Sequence, residues 1–183
     1  DFTIERIALR EELLQILFDP DGAGPQPAIT VDAFDWVPGN ALAVNAVSGG
    51  TLNGVFDLFA HAKLGNFLSN TVPVLGTGLN TSYEYTFVTG FRESATSFGS
   101  MTIFSGIVGG PNYFELYYDP ARDSNSLSGN GFANGQSSTG PNRPILAGHV
   151  IFNTGSFTRN AGTAQFDQFG ANDYPGKTTV VGA

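Results

Sequence analysis

The chain has no cysteine and little charge of either sign. Its 183 residues include no Cys, only 8 Lys and Arg, and 13% charged residues in all. The lack of cysteine excludes disulfides, thiolate metal sites and cysteine nucleophiles. The net charge of −8 argues against binding to nucleic acid or to anionic membranes, because both need clustered cations.

Long apolar runs are also missing. No run reaches the roughly 18 residues that a membrane-spanning helix needs, so we expect no membrane-embedded segment in this fragment. The chain starts at Asp1 rather than Met, as expected of a processed product whose signal peptide has been removed. Hydrophobic residues nevertheless make up 41%, which is enough for a packed globule.

Short runs that alternate apolar and polar residues, separated by turn residues, occupy most of the chain. In the densest run, Met101 to Tyr118, the break at 109–111 predicts a central hairpin of two strands. Within its second strand, Phe114, Leu116 and Tyr118 share one face, and the alternate residues share the other. Strands at this spacing predict an all-β fold, namely an antiparallel β-sandwich or jelly roll. A β-barrel is the alternative.

The first residues differ in composition from the rest. Six of the first twelve are charged, which divides the chain into an N-terminal arm, 1–17, and a β-sandwich domain, 18–183. The arm fits either a strand or a short amphipathic helix. Its apolar residues are Phe2, Ile4, Ile7, Leu9, Leu13 and Ile16. The arm either packs on its own domain or docks on a neighbouring copy.

Two segments of the sequence are candidates for a local function, a short acidic motif and a long polar loop. Asp19 and Asp21, followed by Gly22, have the spacing of a loop that wraps Ca²⁺, and equally that of an ordinary Asx-turn. A long polar loop, 119–144, is of the kind that often has a function. Its Leu127 and Phe132 are predicted to hold it against the surface.

Catalytic signatures are absent from the sequence. There is no nucleophile elbow, phosphate-binding loop or dinucleotide fingerprint. His61 and His149 are predicted to be surface strand residues. Carboxylates at Glu84, Glu93 and Glu115 lie on predicted strands, where a glycosidase pair could form, but nothing distinguishes them. We therefore expect no enzymatic activity and no cofactor other than a structural Ca²⁺.

Several segments, in order along the chain, resemble bacterial secreted proteins with a PEP-CTERM sorting tail, of the flocculation-associated type. They are FDPDGAG, ITVDAFDWVPGNALA, YTFVTGFRES, NYFELYYDPARDSNSLSGNGF and FDQFGANDYPGKTTVVGA. The sorting tail itself is absent here. The resemblance implies export, residence outside the cell or at its surface in a biofilm or floc matrix, and no catalytic residues.

Two functions follow as expectations. The first is a non-enzymatic structural protein of the extracellular matrix that assembles with copies of itself, in one form as a filament built by N-terminal strand addition. The second is a carbohydrate-binding module for exopolysaccharide. In that case Tyr113 and Tyr117 are the predicted glycan contacts.

Overall fold

The computed structural model describes residues 16–19, 27–37, 39–45, 54–99, 101–137, 140–141, 143–158 and 176–182. These residues form antiparallel strands and turns, without a helix among them, which confirms the predicted all-β class. The strands are β1 Ile16–Phe18, β2 Ile29–Val31, β3 Ala33–Trp36, β4 Asn40–Val44, β5 Gly54–Ser69, β6 Val72–Pro73, β7 Glu84–Phe98, β8 Met101–Gly106, β9 Asn112–Asp119, β10 Gln136–Ser137, β11 Gly140–Pro141, β12 Leu146–Gly148, β13 Val150–Thr158 and β14 Gly176–Gly182.

Strands β5 and β7 form the centre of a ten-stranded sheet. They pair with each other from Gly54 opposite Ala95 to Lys63 opposite Thr86. On its other edge β7 pairs with β9 along its first half and with β8 along its second half. The far edge of β5 pairs with β3 and β4. These two long strands, the strands that pair with them and the loop that covers them position the side chains discussed below.

The predicted central hairpin is wrong, because β8 and β9 do not pair with each other. Both lie on the same edge of β7, end to end and in the same direction. Between them the chain makes an excursion over Arg92, where the Ile107 amide donates to the Arg92 carbonyl at 2.9 Å. Gly110, with φ 152°, lies directly against the Arg92 side chain. The Gly-Gly-Pro segment therefore returns the chain to the same edge instead of reversing it.

The outer strands leave the main sheet open. β12 pairs with β9, β13 with β8, and β14 with β13. Over the part of the chain that the structure describes, β3 and β4 border one side and β12 and β14 the other, without pairing between them. The closed sheet considered as the alternative is therefore wrong.

One face of the main sheet, which we call the core face, holds two apolar clusters. The larger surrounds Leu64, Tyr85 and Phe87, and the smaller surrounds Phe56 and Phe91. Full burial of such side chains contributes roughly 1.5–3 kcal/mol each. As predicted, the second strand of the 101–118 run presents three residues to this side, which are Phe114, Leu116 and Tyr118.

The short sheet of β1 and β2 packs over the larger cluster. The Phe18 ring lies 5.5 Å from the Phe67 ring and 5.7 Å from the Tyr85 ring, centroid to centroid. Ile16 and Leu17, the last residues of the predicted arm, pair in β1 with Val31 and Thr30 of β2. The rest of the arm, including Phe2, Ile4, Ile7, Leu9 and Leu13, lies outside the described residues. The portion of the arm that is described is thus a strand of the body.

Candidate functional site

The opposite face of β5, β7 and β9 lies beneath residues 120–135, and we call it the loop face. The 120–135 loop is anchored there by Phe132, which is 1% exposed. The Phe132 ring packs against the His61 ring at a tilt of 44°, with centroids 4.1 Å apart. Beside it the Thr86 hydroxyl donates to the Phe132 carbonyl at 2.8 Å. Phe132 therefore holds the loop as the sequence predicted, whereas Leu127, at 85% exposure, does not.

The loop has internal structure of its own. The Asn125 amide donates to the Asn130 carbonyl at 2.8 Å, and the Asn125 side chain accepts from the amides of Leu127 and Ser128 at 3.0 and 3.1 Å. The Ser126 carbonyl accepts from the Asn40 side chain of β4. Side-chain caps of this kind fix a polar loop that has few apolar contacts.

His61 lies partly buried on β5 under this loop, which corrects the prediction of a plain surface residue. Burial lowers the pKa of His61 from its ordinary value of 6.5, and the nearby Ser126 carbonyl opposes that shift. The Nε2 atom lies 3.4 Å from this carbonyl. His149, in contrast, is exposed between β12 and β13.

Three carboxylates meet at the end of the loop face where the loop begins. Glu84 on β7 lies directly opposite Asp119 on β9, and Asp123 belongs to the loop. One oxygen from each lies within 4.8 Å of the other two. Glu84 is 1% exposed and Asp119 is 2% exposed, whereas Asp123 faces solvent. We call these three residues the acidic cluster.

Hydrogen bonds satisfy most but not all oxygens of the acidic cluster. The Ser124 amide and hydroxyl donate to the two oxygens of Glu84, each at 2.8 Å. The Ala121 amide donates to Asp119 Oδ1 at 2.8 Å, and the Asn134 side chain donates to Asp123 Oδ1 at 3.2 Å. Asp119 Oδ2 is fully buried and accepts no hydrogen bond from a protein group.

The charge of the cluster is only partly balanced. Among the described residues, Lys63 is the cation in ion-pair distance, with Nζ 3.6 Å from Glu84 Oε2. Burial raises the pKa of Asp119, and the negative charges of Asp123 and Glu84 raise it further, against the lowering effects of the Ala121 and Asp123 backbone amides. A group of hard oxygen donors with excess negative charge can hold a divalent cation.

Of the carboxylates singled out from the sequence and described by the structure, Glu84 belongs to the acidic cluster and the others do not. Asp19 is exposed at the end of β1, and Asp21 lies outside the described residues, so the calcium loop stays a prediction. Glu115 and Glu84 are on the loop face, whereas Glu93 faces the core side of β7. Sequence reasoning missed Asp119 and Asp123. The available signal was the Asp-x-x-x-Asp spacing at the end of a strand, but their partner Glu84 is revealed only by the strand register.

The middle of the loop face presents two partly exposed rings. Phe59 and Tyr113 both lie over Gly90, where an added Cβ would be 2.6 Å from Tyr113 Cε1 and 3.0 Å from Phe59 Cδ1. Next to them Arg92 Nε donates to Asp57 Oδ1 at 2.7 Å. Tyr117 is only 5% exposed, and its hydroxyl donates to Glu115 at 2.8 Å. Of the two predicted glycan contacts, Tyr113 thus presents part of its ring to solvent and Tyr117 does not.

The far end of the loop face, around the turn between β7 and β8, exposes apolar side chains. They are Val55, Phe98, Met101 and Ile103, which we call the open-end patch. The strand register places Thr96 opposite Ile103 and Phe98 opposite Met101. Phe98 is 61% exposed.

Neither a protein-family model, nor a curated protein, nor a solved structure matches this chain. Among the described residues there is also no helix that is long and apolar enough to cross a membrane.

Proposed function

We propose that this chain is a non-enzymatic structural protein of an extracellular biofilm or floc matrix, and that it associates with copies of itself. The observation that carries the proposal is the open-end patch, where four apolar side chains lie exposed on one sheet face. Exposed apolar groups on a sheet that is also open at its edges are typical of association surfaces. The resemblance to flocculation-associated secreted proteins supports the extracellular location.

The occupant that we propose for the patch is the part of the N-terminal arm that precedes β1, residues 1–15, from a second copy. The patch contains no charged residue, and the residues between its members are Ser94, Thr96 and Ser105. The sequence of residues 1–15 contains apolar residues of matching character, among them Phe2, Ile4 and Ile7. An arm that docks on the next copy produces open chains rather than closed rings unless the geometry closes.

We also infer a sandwich for the fold of the body. The packing of β1 and β2 over the larger core cluster supports a second layer against the main sheet. Because Phe18 supplies three ring contacts across this interface, the change Phe18→Ala tests the inference. We expect a loss of about 3 kcal/mol of unfolding free energy, measured by urea denaturation. A loss below about 1 kcal/mol would mean that the second layer contributes little.

Sedimentation velocity over a range of concentrations tests the proposed association. We expect the full chain to form larger species that disappear in Ile103→Asn and after deletion of residues 1–15, a deletion that leaves β1 intact. The control is Leu75→Asn, since Leu75 is an exposed apolar residue away from the patch. Electron microscopy of the associated form distinguishes filaments from discrete particles. A full chain that stays monomeric at every concentration would contradict the proposal.

A second candidate function is carbohydrate binding, favoured by the partly exposed rings of Phe59 and Tyr113 beside the Asp57 and Arg92 pair. Aromatic faces next to bidentate polar groups suit sugar rings and their hydroxyls. Titration with bacterial exopolysaccharide should show binding that Tyr113→Ala removes and Ile103→Asn leaves intact. Equal binding by wild type and Tyr113→Ala would argue against this surface.

A further inference from the structure

We propose that the acidic cluster of Glu84, Asp119 and Asp123 is a Ca²⁺ site that ties the 120–135 loop to the main sheet. This site is distinct from the loop at Asp19 and Asp21 that the sequence suggested, and the proposal does not depend on the proposed function. Three features of the structure support it, which are the charge of the cluster, an unsatisfied buried oxygen and the chemistry of the donors.

The first feature is the charge that the strand register imposes. Glu84 and Asp119 are directly opposite each other on neighbouring strands, an arrangement that is destabilising for like charges. Both are almost completely buried, and Asp123 adds a third carboxylate within 4.8 Å. Lys63 supplies one positive charge from a side chain that is one-third exposed. Three negative charges and one positive charge leave an excess of negative charge that a divalent cation would balance.

The second feature is the unsatisfied oxygen of Asp119. Oδ1 accepts the Ala121 amide, and the Asp123 backbone amide also favours the ionised carboxylate, but the fully buried Oδ2 has no donor in hydrogen-bonding geometry. Buried polar atoms without a partner are rare in folded proteins, and a bound ion is one of the regular explanations. The oxygens of Glu84 and Asp123 that accept hydrogen bonds keep further lone pairs for a metal, because an ionised carboxylate offers about four acceptor positions.

The third feature is the type of donor. All three ligand groups are carboxylates, and such hard oxygen donors favour Ca²⁺ or Mg²⁺ over transition metals, which prefer imidazole or thiolate. Ca²⁺ accepts six to eight oxygens in irregular geometry, whereas Mg²⁺ demands a near-ideal octahedron. Ligands drawn from two strands and a loop suit the less demanding ion. Asp123 is exposed, so solvent can deliver the ion and complete its coordination with water.

The consequence is a link between cation binding and loop structure. Glu84 belongs to β7, Asp119 ends β9, and Asp123 precedes Ser124, whose amide and hydroxyl already bond Glu84. An ion held by all three carboxylates therefore joins both strands to the loop. Binding of the ion therefore stabilises the loop in its position on the sheet, because the ion binds more weakly when the loop is detached from the strands.

Calorimetric titration of the full chain with CaCl₂ alone, after treatment with chelator, tests the proposal. We expect one ion per chain to bind at the acidic cluster and a Tm that is higher in Ca²⁺ than in EDTA. MgCl₂ in a parallel titration should bind more weakly. In Asp119→Asn, which keeps the shape and removes one charge, the affinity should fall by more than about tenfold, since affinity follows the number of charged ligands. Its Tm in EDTA should equal or exceed that of the wild type, because a buried negative charge is gone.

Two further substitutions, one in the acidic cluster and one control outside it, test whether the carboxylates of the cluster bind the ion. Asp123→Asn changes an exposed ligand and should lower the Ca²⁺ affinity without affecting folding. Asp35→Asn changes an exposed carboxylate of β3 that bonds Asn66, and it should leave Ca²⁺ binding unchanged. The proposal is overturned if Ca²⁺ gives neither heat nor a Tm shift at millimolar concentration. It is equally overturned if Asp119→Asn and Asp123→Asn bind like the wild type while Asp19→Asn loses binding.

Discussion

The two ends of the loop face both depart from the usual pattern, in which charged groups are exposed and apolar groups are buried. At the closed end, the buried carboxylates of Glu84 and Asp119 lie beneath an ordered polar loop. At the open end, Phe98 and Ile103 are exposed on the same face. Buried charge and exposed apolar surface each cost free energy unless a partner compensates. This comparison is the basis of our two proposals, a cation at the closed end and a second copy of the chain at the open end.

The same two strands produce both ends. On β7, the first half pairs with β9 and leads into the closed end, and the second half pairs with β8 and leads into the open end. The change of partner occurs at Arg92, where the excursion between β8 and β9 bonds to the sheet. A single face is thus divided by one irregular connection into two regions with different surfaces.

The largest expected effect comes from removal of the loop anchor. Phe132→Ala should lower the free energy of unfolding by about 3 kcal/mol, because it leaves a cavity beside His61 and releases the loop. Urea denaturation followed by tryptophan fluorescence measures the change. Leu127→Ala in the same loop, which alters an exposed side chain, should stay within about 0.5 kcal/mol. Equal losses in the two variants would show that Phe132 does not anchor the loop.

A smaller loss is expected where the loop returns to β9. In Gly135→Ala the new methyl group would lie 2.6 Å from the Tyr118 carbonyl oxygen and 2.8 Å from the Tyr117 Cβ. Such overpacking should cost about 2 kcal/mol, measured by urea denaturation. Ala133→Ser, at an exposed position nearby, is the control. A stable Gly135→Ala protein would mean that the loop can move away from β9 at little cost.

Removal of an apolar side chain at the open end should have little effect on the stability of the monomer. Phe98→Ser should alter the unfolding free energy of the dilute monomer by no more than about 0.5 kcal/mol, because the side chain is largely exposed. It should nevertheless weaken association in sedimentation experiments. A large loss of monomer stability would show that Phe98 packs within its own chain, which would remove the contrast between the two ends.

The smallest effect concerns pH. Because the pKa of His61 is lowered in the folded chain by burial, the unfolded chain binds the proton more readily once the pH falls below 6.5. The stability contributed by neutral His61 is therefore lost as the pH falls below that value. Comparison of Tm at about pH 7.5 and about pH 5.5 should show a larger decrease in the wild type than in His61→Gln. Identical decreases would exclude His61 as the group responsible.

Sequence patterns predicted the fold class and the inner faces of strands, but not their partners. The alternation of Phe114, Leu116 and Tyr118 assigned these residues to the correct face, because burial follows the two-residue period. The alternation of apolar and polar residues in β7 ends near Phe91, yet the strand continues to Phe98. Ser94 and Thr96 lack an apolar alternation, and they are held in the strand by pairing with β8. The length of β7 is thus determined by tertiary contacts.

The candidate site was harder to predict for a related reason. The acidic cluster depends on the register that places Glu84 opposite Asp119, and that register joins segments far apart in the chain. The Asp19 and Asp21 motif can be recognised in the sequence because its two residues lie close together along the chain. A local pattern can be read from sequence, whereas a site assembled across strands requires the topology.

Hydrogen exchange followed by mass spectrometry tests the division of the loop face most directly, because one experiment reports on both ends. Adding Ca²⁺ to the dilute chain should slow exchange in residues 120–135 and leave the turn between β7 and β8 unchanged. Raising the protein concentration should slow exchange at that turn and leave 120–135 unchanged. Exchange that responds to neither condition, or that changes at both ends together under each condition, would contradict the account.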